Sequence, residues 1–464
     1  MPDRIVTEKS FYKYLSCPAW IAREEQDPKD VQNALLERLQ DDGLLRPYAL
    51  ELLKGREVAE VDMNDMDEAS EQTLRFMKEG KQTIFGGVLT HGRWVARPDV
   101  LERVEGRSTL GDWYYVATDL KRSSRLKEEY LFQGVFYAEM LMKVQGVRPV
   151  KGYVLHENGT ISDYLIADHF TEFHLALDDI EAILDGKKPE HFLTSSYKQS
   201  PYFYEFLEEV QSCDHLSLLN RVWKSEVEMI QNAGIGTVTD LADSKLADLQ
   251  KVKGLSMDRL YFLQQQAVAM KEQRVIVIGN VELEKEQGPA LVVDIESDPL
   301  RNVDYLFGVL VVDGGSSVYH SFLAKSVEDE EANWRDFVTF LEEYSDANLY
   351  HYGWYEVDVF RKLTERYGAP ESVKRMFEER MIDLLTRLRG HVIFPMPFYS
   401  LKDVAKFLGF DWRTKDASGP DSVLWYEAWL DQGDEEALRA TIEYNEDDVR
   451  ATWFLYEWAI KNVV

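Results

Sequence analysis

From Arg125 to Val144 apolar residues recur at Leu131, Val135, Ala138 and Met142, the spacing that lays one buried stripe along a helix. Ahead of it the period shortens. Gln82–Leu89 and Arg93–Val104 read as strands joined at Thr90-His91-Gly92, a hairpin turn, and Trp113–Leu120 reads as a third strand. Val150–His156 returns as strand, while Glu51 to Met77 reads as helix. This order predicts an α/β core with a mixed sheet over residues 1–220. Residues 221–280 read as a polar-faced helical connector, interrupted at Ala233-Gly234-Ile235-Gly236 and Lys253-Gly254-Leu255. A second strand-rich block spans 281–464. Its strands are Leu291–Asp294, Leu306–Val312, Ser317–Leu323 and Asn348–Tyr352. Trp334, Phe337, Phe340 and Leu341 mark an amphipathic helix, followed by helices Val357–Tyr367 and Glu435–Ile460.

At 464 residues the chain is too long for one ordinary core, which agrees with two domains. No apolar run approaches the roughly 20 residues that span a bilayer, and the N-terminal sequence lacks the apolar core of a secretory signal. A cytoplasmic protein without a membrane partner is expected. Cys17 and Cys213 are the only cysteines, which excludes a disulfide framework or a Cys-rich zinc site within the chain. The charge argues against a nucleic-acid enzyme: 83 acidic against 53 basic residues give −30, whereas phosphate contacts usually leave a basic footprint. Between His91 and Val150 the balance reverses, with ten Lys+Arg against eight Asp+Glu.

That segment carries chemistry. Asp99 follows Pro98, and Asp119 and Lys121 stand two apart at a strand end, so they share a face. Two carboxylates suit a hard cation such as Mg²⁺. The lysine can position a water or offset developing charge. Gln133 and Tyr137, at i and i+4, share a helix face. An isolated Asp-x-Lys is more often a surface ion pair, but here it follows Pro-Asp and precedes Gln-x-x-x-Tyr. The set resembles the RecB-like PD-(D/E)xK nucleases, as does the opening Ser10-Phe-Tyr-Lys-Tyr-Leu-Ser-Cys17-Pro18. The resemblance implies a restriction-endonuclease-like mixed sheet, with Asp99 and Asp119 as metal ligands and Lys121, Gln133 and Tyr137 beside them. It also implies a helix-borne acid, for which Glu60 is the candidate, with Glu57 as alternative. Some relatives bind an iron–sulfur cluster through that cysteine; three partner cysteines are missing here, so no iron–sulfur cluster is implied.

A second acidic set lies in the last block. Asp294 and Glu296 share one strand face, and Tyr444 and Asp448 one helix face. His351-Tyr-Gly-Trp-Tyr-Glu356-Val-Asp358 offers a third acid, either Glu356 or Asp358. Carboxylates converging on one spot raise each other's pKa, which two bound Mg²⁺ or Mn²⁺ ions would relieve. Three sequential strands followed by strands alternating with helices is the layout of a ribonuclease-H-like fold. The motifs resemble the DnaQ-like (DEDD) exonucleases of that fold. The resemblance implies Asp294, Glu296, Glu356 and Asp448 as ligands and Tyr444 as the residue that orients the attacking water. The usual Asn and Asp of the middle motif are absent.

The two glycine turns of the connector fit helix–hairpin–helix turns that offer backbone N–H groups to phosphate, or plain glycine C-caps. The whole order is similar to RecB-like putative nucleases fused to a DnaQ-like 3'-5' exonuclease domain. The implied activity is metal-dependent hydrolysis of DNA or RNA phosphodiesters, in repair or processing. The competing class is a non-catalytic or single-site nucleic-acid-binding subunit that works with a helicase.

Overall fold

The computed structural model describes residues 4–26, 53–123, 125–156, 159–415 and 417–464. The chain divides into two compact units, residues 4–26 with 53–207, and residues 208–464. No helix among the described residues is long and apolar enough to cross a membrane.

In the first unit a six-stranded mixed sheet runs in sequence order: β1 (Val58–Glu60), β2 (Thr83–Phe85), β3 (Val100–Ser108), β4 (Gly111–Lys121), β5 (Lys151–His156) and β6 (Ile161–Leu165). Only the β1/β2 and β4/β5 pairs are parallel. Against it packs α2 (Glu128–Gln145), and α1 (Glu8–Ser16) packs on α2 through Phe11 against Phe132 and Phe136. Glu128 and Glu129 at the start of α2, Lys143 in its last turn and left-handed Gly146 after it all favour a helix that ends there. Its burial is wider than one stripe: Phe132, Phe136 and Met140 are buried with Val135 and Ala138, whereas Met142 is 40% exposed. A helix covered by both the sheet and α1 needs apolar residues on most of its circumference.

Two expectations fail here. Glu51 to Met77 is not one helix. Residues 51–52 lie outside the described residues, a turn follows, then β1 and a separate helix, Met66–Glu79. Asp65 starts that helix, its carboxylate accepting from the N–H groups of Asp67 and Glu68 at 2.9 and 3.0 Å. The predicted hairpin exists, but only as Leu89–His91 against Trp94–Ala96, turning at Gly92. It leaves the large sheet and pairs with Val6–Thr7, so Gln82–Leu89 and Arg93–Val104 are each broken.

In the second unit the sheet order is β9-β8-β7-β10-β11, with β7 (Ala290–Asp298), β8 (Val303–Asp313), β9 (Ser316–Leu323), β10 (Asn348–His351) and β11 (Met381–Asp383). The first three are antiparallel; β10 and β11 run parallel to β7. Alternation along β7 divides two cores. Leu291, Val293 and Ile295 pack with Trp334, Phe337 and α3 (Tyr355–Tyr367). Ala290 and Val292 pack with α4 (Glu435–Asn462). The helical stretch after residue 220 belongs to this unit. Its helices are Lys224–Asn232, Val238–Asp243, Leu246–Leu249 and Met257–Glu272, and Ile276–Val277 then pairs with Val392–Ile393.

Candidate active site

Since Leu291, Val293 and Ile295 face α3, the period of two turns Asp294 and Glu296 toward α4. The ladder to β8 breaks between Glu296 and Ser297, which ends the regular strand beside these acids. On α4 the buried positions Thr441, Tyr444, Asn445, Val449 and Thr452 follow the helical period, and Asp448 falls within that face. One carboxylate oxygen each from Asp294, Glu296 and Asp448 lies within 4.8 Å of the others. Glu356, in the first turn of α3, is buried, and its charge acts on Asp294 and Glu296. Asp358 is exposed and pairs with Arg361 at 2.7 Å. Geometry therefore separates the two middle acids: Glu356 faces the group and Asp358 faces solvent.

The electrostatics are strained. Burial, with Asp448, Glu296 and Glu356 adding to it, holds the Asp294 carboxyl well above its usual range. Burial and Asp448 push Glu296 up to about 8, against hydrogen bonds from Ser422 and Asn445. Asp448 rises to about 7, mainly through burial, although Trp412 donates to it. Burial and the same acids raise the Tyr444 phenol, whose side chain bonds Asp448. Glu356 Oε2 is buried without a hydrogen-bond partner, 3.5 Å from His351 Nδ1. Clustered oxygens of this kind are the donor set of a hard divalent cation.

Four supports were not singled out as site residues in the sequence. Asn445 Nδ2 donates to Asp294 Oδ2 at 2.8 Å, and Tyr319 OH donates to Asn445 Oδ1 at 2.8 Å. Gly308 makes room for that amide, since a Cβ there would sit 1.6 Å from Asn445 Oδ1. Trp412 Nε1 donates to Asp448 Oδ1 at 2.7 Å. Only Asn445, adjacent to Tyr444 on the motif, carried any signal.

In the first unit Asp119 and Lys121 end β4 on one face, their charges 2.7 Å apart. Tyr137 OH lies 3.5 Å from Asp119 Oδ1, and Gln133 is buried with Oε1 lacking a hydrogen-bond partner. Asp99 Oδ2 accepts from Leu120 N–H at 2.7 Å, which ties it to the same strand end. Glu60 is elsewhere. It is exposed at the end of edge strand β1, three strand steps from β4 or roughly 14 Å at the usual sheet spacing, and not on a helix. Glu57 is likewise exposed, just before β1. The helix-borne acid near Asp119 is Glu8, at the start of α1. Burial raises its pKa, with Asp119 adding to the push and Arg97 opposing it. Arg97 holds it through Nε at 3.0 Å and Nη2 at 2.9 Å. Sequence analysis did not single out Glu8, which lies some ninety positions before Asp99. Tyr164 completes the surroundings. Its phenol passes so close to Gly134 and Gly152 that a Cβ on either would sit 1.7 or 2.4 Å from its atoms.

Residues 291–460 match the family model RNase_H_2 of the RNase_H superfamily, which supports a ribonuclease-H-like domain in this half and nuclease-type chemistry on nucleic acid. Over 57 residues the chain is 39% identical to an uncharacterized protein, MJ0365, of Methanocaldococcus jannaschii. That stretch is 12% of this chain and 32% of the other, so the chain spans about a third of the length of the curated relative it matches.

Proposed function

We propose that this chain is a metal-dependent nuclease with an exonucleolytic, DnaQ-like centre at Asp294, Glu296, Glu356 and Asp448. The observation that carries it is the convergence of buried Glu296 and half-buried Asp294 and Asp448 within 4.8 Å, inside the stretch that matches the RNase_H superfamily. The four carboxylates would hold Mg²⁺ or Mn²⁺. A divalent cation there would offset charge on the scissile phosphate and lower the pKa of a water. Tyr444 orients that water through its phenol, while Asn445 and Trp412 hold two of the ligands in place.

The first unit is, in this reading, a RecB-like PD-(D/E)xK nuclease module. Asp99 and Asp119 would take the metal, Lys121 would steady the charge on phosphate, and Gln133 and Tyr137 would orient these groups. Glu8 replaces Glu60 as the helix-borne acid, supported by its burial and its electrostatic contact with Asp119. Domain limits of 1–220, 221–280 and 281–464, cytoplasmic residence and a repair or processing role belong to the same proposal.

The test is cleavage of labelled single- and double-stranded DNA and RNA with Mn²⁺. Lys121→Ala should remove cleavage by the first centre and Asp294→Ala cleavage by the second. Loss with Lys121→Ala alone would leave a single-site enzyme. A wild-type chain that cleaves none of these substrates and binds no Mn²⁺ would overturn the enzyme reading in favour of a nucleic-acid-binding subunit acting with a helicase.

A further inference from the structure

Arg301, Arg366 and Arg413 of the second unit are each held by a carboxylate, of Asp298, Glu330 and Asp447, at 2.8, 2.9 and 2.8 Å. Arg221 and Arg389 depart from this. Among the described residues neither has an ion-pair partner, and Arg389 Nε is buried with no hydrogen-bond acceptor. The groups around Arg389 are engaged elsewhere. Asp383 turns its oxygens to the N–H groups of Gly353 and Leu385, at 2.8 and 2.9 Å, and to the Thr386 hydroxyl. Tyr352 and Tyr399 donate their hydroxyls to the backbone carbonyls of Tyr399 and Phe394. Burial and the neighbouring Arg221 charge hold the Arg389 guanidinium below its ordinary pKa, with Asp383 and the two phenols opposing.

The pair lies at the end of the sheet that carries the acidic centre. Arg389 follows the helix Leu384–Leu388 after β11, and Tyr352 directly follows β10. Both strands run parallel to β7, so they end where β7 presents Asp294 and Glu296. Val292 pairs with Tyr350, and the period of two puts Tyr352 on the face of Asp294. β11 is two strand steps from β7, roughly 10 Å at the usual spacing. Arg221 reaches Arg389 from the helical stretch. Its backbone is left-handed at φ 54°, a region that is costly for a residue with a Cβ. Two bonds pin it there: Asn220 Nδ2 donates to Pro397 O at 2.7 Å, and Arg259 Nη2 to Arg221 O at 2.8 Å.

We propose, resting on the nuclease reading above, that Arg221 and Arg389 clamp one backbone phosphate of the nucleic-acid strand, next to the phosphate that the carboxylates cleave. Two guanidiniums without an acid between them repel each other, and an anion relieves the repulsion. Phosphate suits them because the planar fork of arginine gives its oxygens two N–H groups at a time. Such contacts set the register of a strand without reading its bases. They also supply locally the cationic footprint that a chain carrying −30 lacks overall. Both arginines are positioning residues; the chemistry stays with the carboxylates.

The experiment uses the full chain carrying Lys121→Ala, with Mn²⁺, and two kinds of substrate. One is a 12-nucleotide single strand, as DNA and as RNA. The other is the p-nitrophenyl ester of thymidine 5'-monophosphate, which has a single phosphodiester and no second phosphate to clamp. Asp294→Ala in that chain must abolish both activities, which assigns them to this centre. Arg389→Met and Arg221→Met should each raise KM for the better strand about tenfold, the scale of one charge-assisted hydrogen bond, with kcat within about twofold. Turnover of the ester should not change, which shows that the variants fold. The double variant should flatten the dependence of log(kcat/KM) on log salt by about 0.7, the share of one phosphate on a single strand. Arg389→Lys should recover only part of the loss. An unchanged KM and salt slope in the double variant, or equal losses on strand and ester, overturns the clamp and leaves the nuclease reading standing. A parent that turns over neither substrate overturns that reading and the clamp with it.

Discussion

The two acidic centres differ in who neutralises their charge. In the first unit each acid has a partner from the chain itself: Lys121 lies 2.7 Å from Asp119, Arg97 holds Glu8, and a backbone N–H meets Asp99. In the second unit the acids face one another. Asp294, Glu296 and Asp448 are all pushed upward, and the Lys402 charge opposes this at Asp448. A set with cations beside two of its three acids carries less uncompensated charge without metal. A set of mutually repelling buried carboxylates needs protons or divalent ions to exist at all. The second centre is therefore the one whose stability should follow metal and pH more closely.

The sharpest way to break this contrast is to remove the middle acid. Glu356→Gln should lower trimming by the second centre roughly a hundredfold or more, the scale of losing one electrostatic contact to the transition state. Asp358→Asn, on the solvent side, should stay within about twofold. Equal losses in the two variants would mean that the α3 register has been misjudged. A smaller effect is expected from the support beneath Asp294. Asn445→Ala should weaken Mn²⁺ binding about ten- to a hundredfold by calorimetry, as outer-shell losses usually do. Unchanged affinity would leave the Tyr319–Asn445–Asp294 chain a packing feature only.

The smallest effect is thermal, and its sign is fixed by the direction of the shifts. Unfolded carboxylates titrate near about 4. The folded ones are raised, to about 8 for Glu296 and about 7 for Asp448. The native state therefore keeps protons that the unfolded chain releases, and metal-free stability falls as pH rises from about 4 through 8. Scanning calorimetry of the metal-free chain should show a transition that moves down across this window and is restored by Mn²⁺ more at pH 8 than at pH 5. Asp294→Asn should flatten the slope. A transition with the same slope in Lys121→Ala, Asp294→Asn and wild type would contradict the asymmetry between the centres.

Much of this was visible in the residues alone, where chemistry and local period coincide. The i, i+2 spacing of Asp294/Glu296 and of Asp119/Lys121, and the i, i+4 spacing of Tyr444/Asp448, are facts of strand and helix geometry, and each pair meets as that geometry requires. Four of the five strands in the second unit's sheet fall where the sequence pattern put them, and the fifth, Met381–Asp383, was not read as a strand. Long-range choices were not available. The sequence offered Glu60 for the first centre because it lay close by in sequence; chain folding put Glu60 on an edge strand and brought Glu8 to Asp119 instead. It left Glu356 and Asp358 open until α3 began at Tyr355 and turned one inward and the other to Arg361. Nothing local marks Trp412 as the donor to Asp448, or Gly308 as the space for Asn445. Periodicity determines which side chains of one element share a face, since a repeat of 2.0 or 3.6 residues is intrinsic to the backbone. Only the tertiary structure decides which faces meet, because that depends on the burial of surfaces contributed by distant parts of the chain.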